Sequence, residues 1–248
     1  MTAPFWISAF LDLPATSFAP ATRFWSEVTG YRLSEPRGEH REFATLLPPA
    51  GDDFLRVQRV QDGSGGLHLD LHVADPRAAA DAATALGASE VADRGYLVMR
   101  SPGGFTFCFV TQVATARPAP LVHDDGTASI VDQVCLDMPA AAYDEECAFW
   151  AAVTGQEHVD VASPEFSRLV RPEGQPLQLL LQRLDEPNGG VRGHLDLAAD
   201  DRAAEVRRHV LLGAVLDAEG RQWTVLRDPA GARYCVTDRA PASGTIAR

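Results

Sequence analysis

GLHLDLHVADPRAAA, Gly66–Ala80, and GHLDLAADDRAAEV, Gly193–Val206, are two copies of one pattern. In the first copy leucines alternate with polar residues, the period of a strand, so Leu67, Leu69 and Leu71 share one face and His68, Asp70 and His72 the other. Asp75 then stands where a helix needs a side-chain cap, Pro76 takes the first helical position, and Gly87 ends the run. A strand that leads into an alanine-rich helix closed by glycine is therefore a unit, and the chain contains it twice.

The repetition extends well beyond this stretch, and a repeat decides the architecture before any single residue is read. AFLDLPATSFAPATRFWSEVTG from Ala9 aligns without a gap on VCLDMPAAAYDEECAFWAAVTG from Val134, a shift of 125. EFATLLPPAG pairs with EFSRLVRPEG, and LRVQRV with LLLQRL, which sets Gln58 opposite Gln182. His68 matches His194, Arg100 matches Arg227, and Cys108 matches Cys235. Each half shows two successive strand–helix–strand–strand rhythms. The first has a strand around Phe10–Leu13, a helix carrying Phe24-Trp25 and closed by Gly30, and strands near Phe43–Leu47 and Phe54–Val60. After Gly87 come GYLVMR, the turn SPGG and the strand FTFCFV. The aperiodic, proline- and alanine-rich stretch Thr111–Ser129 reads as a linker. The expected organisation is a domain over residues 1–112, a linker over 113–128 and a second domain over 129–240.

The 248 residues include 34 acidic and 22 basic side chains, a formal charge of -12 that repels phosphate backbones and anionic lipid. Every basic residue is Arg, so a Schiff-base or phosphate-loop lysine is excluded. The absence of Lys beside heavy use of Ala, Arg, Gly and Pro suggests a bacterial source, and because the N-terminal stretch MTAPFWISAFLDLPA lacks a basic region and no window holds eighteen uninterrupted apolar residues, a cytoplasmic protein that engages neither nucleic acid nor membrane is expected. The four cysteines lack CxxC spacing and read as reduced thiols.

On the His-Leu-Asp-Leu strands, SPGGFTFC at Ser101 and DPAGARYC at Asp228, the chain resembles the vicinal oxygen chelate superfamily, the glyoxalase, bleomycin-resistance and ring-cleaving dioxygenase group. The resemblance implies an α+β fold of four βαβββ modules, forming two tandem glyoxalase-like domains with cup-shaped mixed sheets. It also implies a metal in the cup, held by residues of the first and last strands of each module. Carried over residue by residue, His68 and His194 match family ligands, while Cys108 and Cys235 stand where a terminal-strand Glu is expected. Ser8, Gln58, Gln133 and Gln182 fill the other positions.

Counted this way, each cup supplies one good ligand where a chelating site wants three or four. The reading that follows is a metal-free cup that binds a small organic molecule, acting as a monomer or homodimer without a cofactor. The alternative is a lyase, isomerase or dioxygenase with a divalent metal on His68 and His194. His68, Asp70 and His72 share a strand face, but residues two apart lie roughly 7 Å from each other, too spread for all three to bind one ion. Asp70 and Asp196 are expected to pair with arginines or cap backbone groups. Cys108 and Cys235 are either buried structural thiols or nucleophiles activated by His68 and His194. Arg100 and Arg227 either fork a ligand carboxylate or form surface ion pairs. Trp25 and Trp150 read as packing residues, whereas Trp6, Tyr96 and Trp223 fall in strands and are candidates to stack on a flat ligand.

Overall fold

The computed structural model describes residues 3–61, 63 and 65–246. The first half runs β1 (Trp6–Pro14), α1 (Phe18–Thr29), β2 (Arg32–Leu33), β3 (Phe43–Leu47), β4 (Leu55–Val60), β5 (Gly66–His72), α2 (Pro76–Ala85), β6 (Ser89–Asp93), β7 (Leu97–Arg100) and β8 (Thr106–Val110). A short β9 (Leu121–Val122) precedes the second half: β10 (Ala128–Met138), α3 (Tyr143–Thr154), β11 (His158–Asp160), β12 (Phe166–Leu169), β13 (Gln178–Arg183), β14 (Arg192–Ala199), α4 (Arg202–Leu211), β15 (Val215–Glu219), β16 (Trp223–Arg227) and β17 (Arg233–Thr237). Each half is thus βαβββ written twice. β9 lies in the linker stretch and pairs antiparallel with the start of β10.

Each half makes one open mixed sheet. The strand orders are β2-β3-β4-β1-β5-β8-β7-β6 and β11-β12-β13-β10-β14-β17-β16-β15. β5 and β8 run parallel, as do β14 and β17, while their outer neighbours pair antiparallel. Among the described residues no helix is long and apolar enough to cross a membrane.

Local chemistry sets the element ends. α1 and α3 stop at Gly30 and Gly155, whose φ of +70° and +66° are left-handed values that glycine adopts without strain. Asp75 and Asp201 cap α2 and α4 by accepting from the amides of Ala78 and Ala204. α2 ends one residue earlier than its glycine suggests, with Leu86 at the cap and Gly87 at φ +100° just beyond. β1 is longer than its apolar centre indicated. Almost every residue along it is buried, so the alternation that marks a half-exposed strand is absent.

The chain divides into two compact units, and each takes one module from each half. One unit comprises Met1–Phe10, Leu67–Ala116 and Val134–Gly193. Its core sets Phe107 of β8 against Phe149 and Trp150 of α3, with ring centroids 5.8 and 5.3 Å apart. Here the buried Glu146 accepts from the Gly103 amide of the SPGG turn at 2.5 Å and from Trp150 Nε1 at 2.7 Å. Burial pushes its carboxyl above the usual range.

The other unit comprises Leu11–Gly66, Arg117–Gln133 and His194–Arg248. Phe24 and Trp25 of α1 pack on Tyr234 of β17. Trp25 Nε1 donates to Asp228 Oδ2 at 2.9 Å, and Asp228 Oδ1 accepts from the amides of Ala230 and Ala232 in the DPAG turn. Beside it the buried His209 joins Glu205 Oε1 and Tyr234 Oη, each at 3.0 Å, while Arg208 donates to Glu205 Oε2 at 2.6 Å. Burial acts to raise the Glu205 carboxyl, but hydrogen bonds from His209, Ser129 and Arg208 outweigh it and hold the group at about 2.

Two measurements test these clusters. Glu146→Gln keeps the shape but turns an N–H toward a donor, which costs about 1–3 kcal/mol. At about 2–4 °C per kcal/mol the thermal midpoint should fall by roughly 3–10 °C. Because Glu205 is depressed in the fold, its contribution is present above its ordinary value of 4.5 and is lost as pH falls toward about 2. Denaturant titrations should show that loss in the wild type, of order 1–3 kcal/mol, and a flatter acid limb in Glu205→Gln.

Candidate functional site

The site begins with a parallel strand pair. β14 and β17 align Asp196 with Cys235, and β5 and β8 align Asp70 with Cys108. Parallel neighbours in register turn their side chains to the same face, and a residue two positions earlier on the strand points the same way. His194 therefore joins Asp196 and Cys235, and His68 joins Asp70 and Cys108. In each trio a ring nitrogen, a carboxylate oxygen and a sulfur all lie within 4.8 Å of one another.

This corrects one expectation. The ligand count left out the aspartates, so each parallel strand pair offers three donors rather than one. His68 and Asp70 converge at their side-chain ends, but the third residue of that strand face, His72, is not in the trio. That imidazole is buried and engaged elsewhere, with Nε2 at 2.8 Å from Ser8 Oγ and Nδ1 at 2.6 Å from the Gln112 carbonyl.

The trio of the second half centres on one ring nitrogen. Asp196 Oδ1 lies 3.3 Å and Cys235 Sγ 3.5 Å from the same atom, His194 Nε2. Gln133 of β10 donates to Asp196 Oδ2 at 2.5 Å, so one carboxylate oxygen is tied down. The other, Oδ1, is buried and accepts no hydrogen bond among the described residues. Asp196 thus engages Gln133 and His194, rather than capping a backbone group. Burial acts to raise its carboxyl, yet His194, the positive field of Arg239 and the Gln133 bond together hold it below the ordinary range. Arg239 itself binds Asp132, and both are buried. Sequence reasoning passed over this pair. The available signal was Asp132, the one charge in the buried strand stretch SIVDQVCL.

Placement of the donors bears on what they can do. In a thiol–imidazole–carboxylate relay the acid sits on the ring nitrogen opposite the nucleophile. Here sulfur and carboxylate flank one nitrogen, which is not the geometry of an activated nucleophile. Two donors at about 2.0–2.3 Å from a tetrahedral centre lie roughly 3.3–3.6 Å apart, which matches the two separations at Nε2. A buried carboxylate oxygen, an imidazole nitrogen and a sulfur this close together are what a cation would bridge, so the residues present fit a divalent metal. The first half differs. There Phe10 stacks flat on the His68 ring, centroids 4.7 Å apart, whereas the repeat carries Cys135 at the matching position.

The remaining candidates are placed as follows. Gln58 sits on β4 opposite Phe43. Gln182 accepts from the Cys135 thiol at 3.6 Å. Arg100 is exposed at the end of β7. The Arg227 guanidinium is shared between Asp217, at 3.1 and 3.3 Å, and the Gly231 carbonyl. Tyr96 lies in the bend before β7 and not in a strand, because Gly95, at φ +82°, turns the chain there. Trp223 packs on the Gly220 backbone at the β15–β16 turn, and Trp6 is a fully buried core residue.

Comparison with known proteins agrees with this architecture. The glyoxalase-like domain profile matches residues 8–110 and again 133–237. The 2,3-dioxygenase LapB from Pseudomonas sp. KL28 superposes with a TM-score of 0.65 at 14% identity, covering 96% of this chain and 93% of that one. The Mn(II)-bound glyoxalase from Novosphingobium aromaticivorans gives 0.63 at 15%, covering 95% and 81%. A mutant of 4-hydroxymandelate synthase from Streptomyces coelicolor gives 0.61 at 16%, covering 99% and 94%. At these identities the likeness is one of fold. No curated protein matches the chain in sequence. The duplicated modules, the parallel first and last strands and the twofold profile match lead to one conclusion: the chain belongs to the glyoxalase-like domain family and carries that domain twice.

Proposed function

We propose that the chain is a divalent-metal protein that acts on a small, oxygen-bearing organic molecule, with His194, Asp196 and Cys235 of its second half as the metal-holding residues. The observation that carries this reading is the convergence of three donors: the buried Asp196 Oδ1 lies 3.3 Å and Cys235 Sγ 3.5 Å from one imidazole nitrogen, His194 Nε2. A buried carboxylate is costly unless something positive faces it. A bound ion would supply Lewis-acid polarisation of a ligand oxygen. The protein's own residues do the rest. Gln133 fixes the rotation of the Asp196 carboxylate, as outer-shell partners of metal ligands do. The Arg239–Asp132 pair keeps the surrounding charge balanced, and the partial exposure of His194 leaves it reachable from solvent. Metal-bearing neighbours such as the Mn(II)-bound glyoxalase add support at the level of the fold.

A metal-free binding role remains as a second reading, favoured by the first half, where Phe10 covers the His68 ring and uses the cup as packing space. Metal analysis separates the two. Full-length protein purified without chelator should carry close to one transition-metal ion per chain, falling at least about tenfold in His194→Ala and Asp196→Asn. After stripping, re-addition of the ion at about 100 times its Kd should raise the thermal midpoint by roughly 5–10 °C. Metal-free wild-type protein whose midpoint ignores added Zn(II), Mn(II), Fe(II) and Co(II) would sink the metal reading.

A further inference from the structure

The donor set of the second half bears on which ion it selects, an inference that rests on the metal reading above. We propose that Cys235 serves as a thiolate ligand and that the His194–Asp196–Cys235 site is selective for zinc-class ions. The chemistry it supports is then Lewis-acid chemistry on a small oxygen-bearing substrate, of the lyase or isomerase kind, and not activation of dioxygen.

Three observations converge. First, the sulfur is placed by the backbone: the parallel register of β14 and β17 sets Cys235 beside Asp196, and its Sγ sits 3.5 Å from the nitrogen that Asp196 Oδ1 approaches to 3.3 Å. Second, the set is one imidazole, one carboxylate and one thiol. Soft thiolate favours zinc over Mn(II), Mg(II) and Ca(II), while oxygen-activating non-haem iron is bound by two imidazoles and a carboxylate with no sulfur. The position on the neighbouring strand β10 holds Gln133, whose amide is committed to Asp196 Oδ2 at 2.5 Å. Third, the duplication preserves the set. His68, Asp70 and Cys108 repeat the same three donor types in the same register, although Ser8 and Phe10 have diverged from Gln133 and Cys135 around them.

The test uses the full chain, stripped of metal and reloaded with Co(II), whose thiolate complexes absorb strongly in the near ultraviolet. The wild type should show this charge-transfer band, and Cys235→Ser should lose at least half of it. In an anaerobic equimolar mixture the wild type should retain Zn(II) over Mn(II) by about 100-fold or more, and Cys235→Ser should lower that ratio at least tenfold. X-ray absorption of the zinc-loaded wild type, which needs no variant to fold, should show sulfur at about 2.3 Å. Cobalt or zinc bound with no sulfur neighbour, or Mn(II) or Fe(II) retained in preference to Zn(II), overturns the thiolate proposal while leaving the metal reading standing. Failure of the wild type to bind any of these ions overturns both.

Discussion

The arrangement depends on the parallel pairing of a module's first strand with its last. Parallel strands in register bring side chains together from residues far apart in the chain, Asp196 with Cys235 and Asp70 with Cys108, and turn them to one face of the pleat. A one-residue slip would send every one of these groups to the opposite face. The helix that crosses between the two strands has to be capped and stopped at the right length for this register to hold. Asp75 and Asp201 at its start, and Gly87 and Gly213 just past its end, do that in both copies.

The duplication has preserved this frame while moving the charges that support it. In one unit Asp228 of the DPAG turn accepts from Trp25 on α1. In the other the turn carries Ser101, and the carboxylate has moved to Glu146 on α3, where the first copy has Ala21. The same three parts are satisfied in both: a buried indole N–H, a turn amide and one carboxylate between them. A buried donor has to be matched by an acceptor, but the chain position that provides it is free to change. Both carboxyls sit above their usual range because burial disfavours their charge.

Burial also gives the His194 trio its chemical character. A buried carboxylate is costly unless hydrogen bonds or a positive group face it. Gln133 answers one oxygen of Asp196, and Arg239 is already committed to Asp132. The first half has taken another course, laying Phe10 over His68. One ancestral frame thus carries two environments for the same donor set.

The sequence by itself determined the duplication, the βαβββ rhythm, the helix caps and the His-x-Asp strands. These depend on spacing along the chain, and spacing can be read directly. It also paired Cys108 with Cys235 across the repeat. Whether the donors meet was decided by the tertiary structure. A count of residues at expected ligand positions sees one histidine per cup, because the aspartate two residues on and the cysteine a helix and two strands away become neighbours only through the strand register. The same holds for packing. Each half forms its own sheet, yet Trp150 lies on Phe107 and Trp25 on Tyr234, so each compact unit is built from both halves. An apolar helix face declares that it will be buried, but its partner is chosen by shape and by where a buried N–H finds its acceptor.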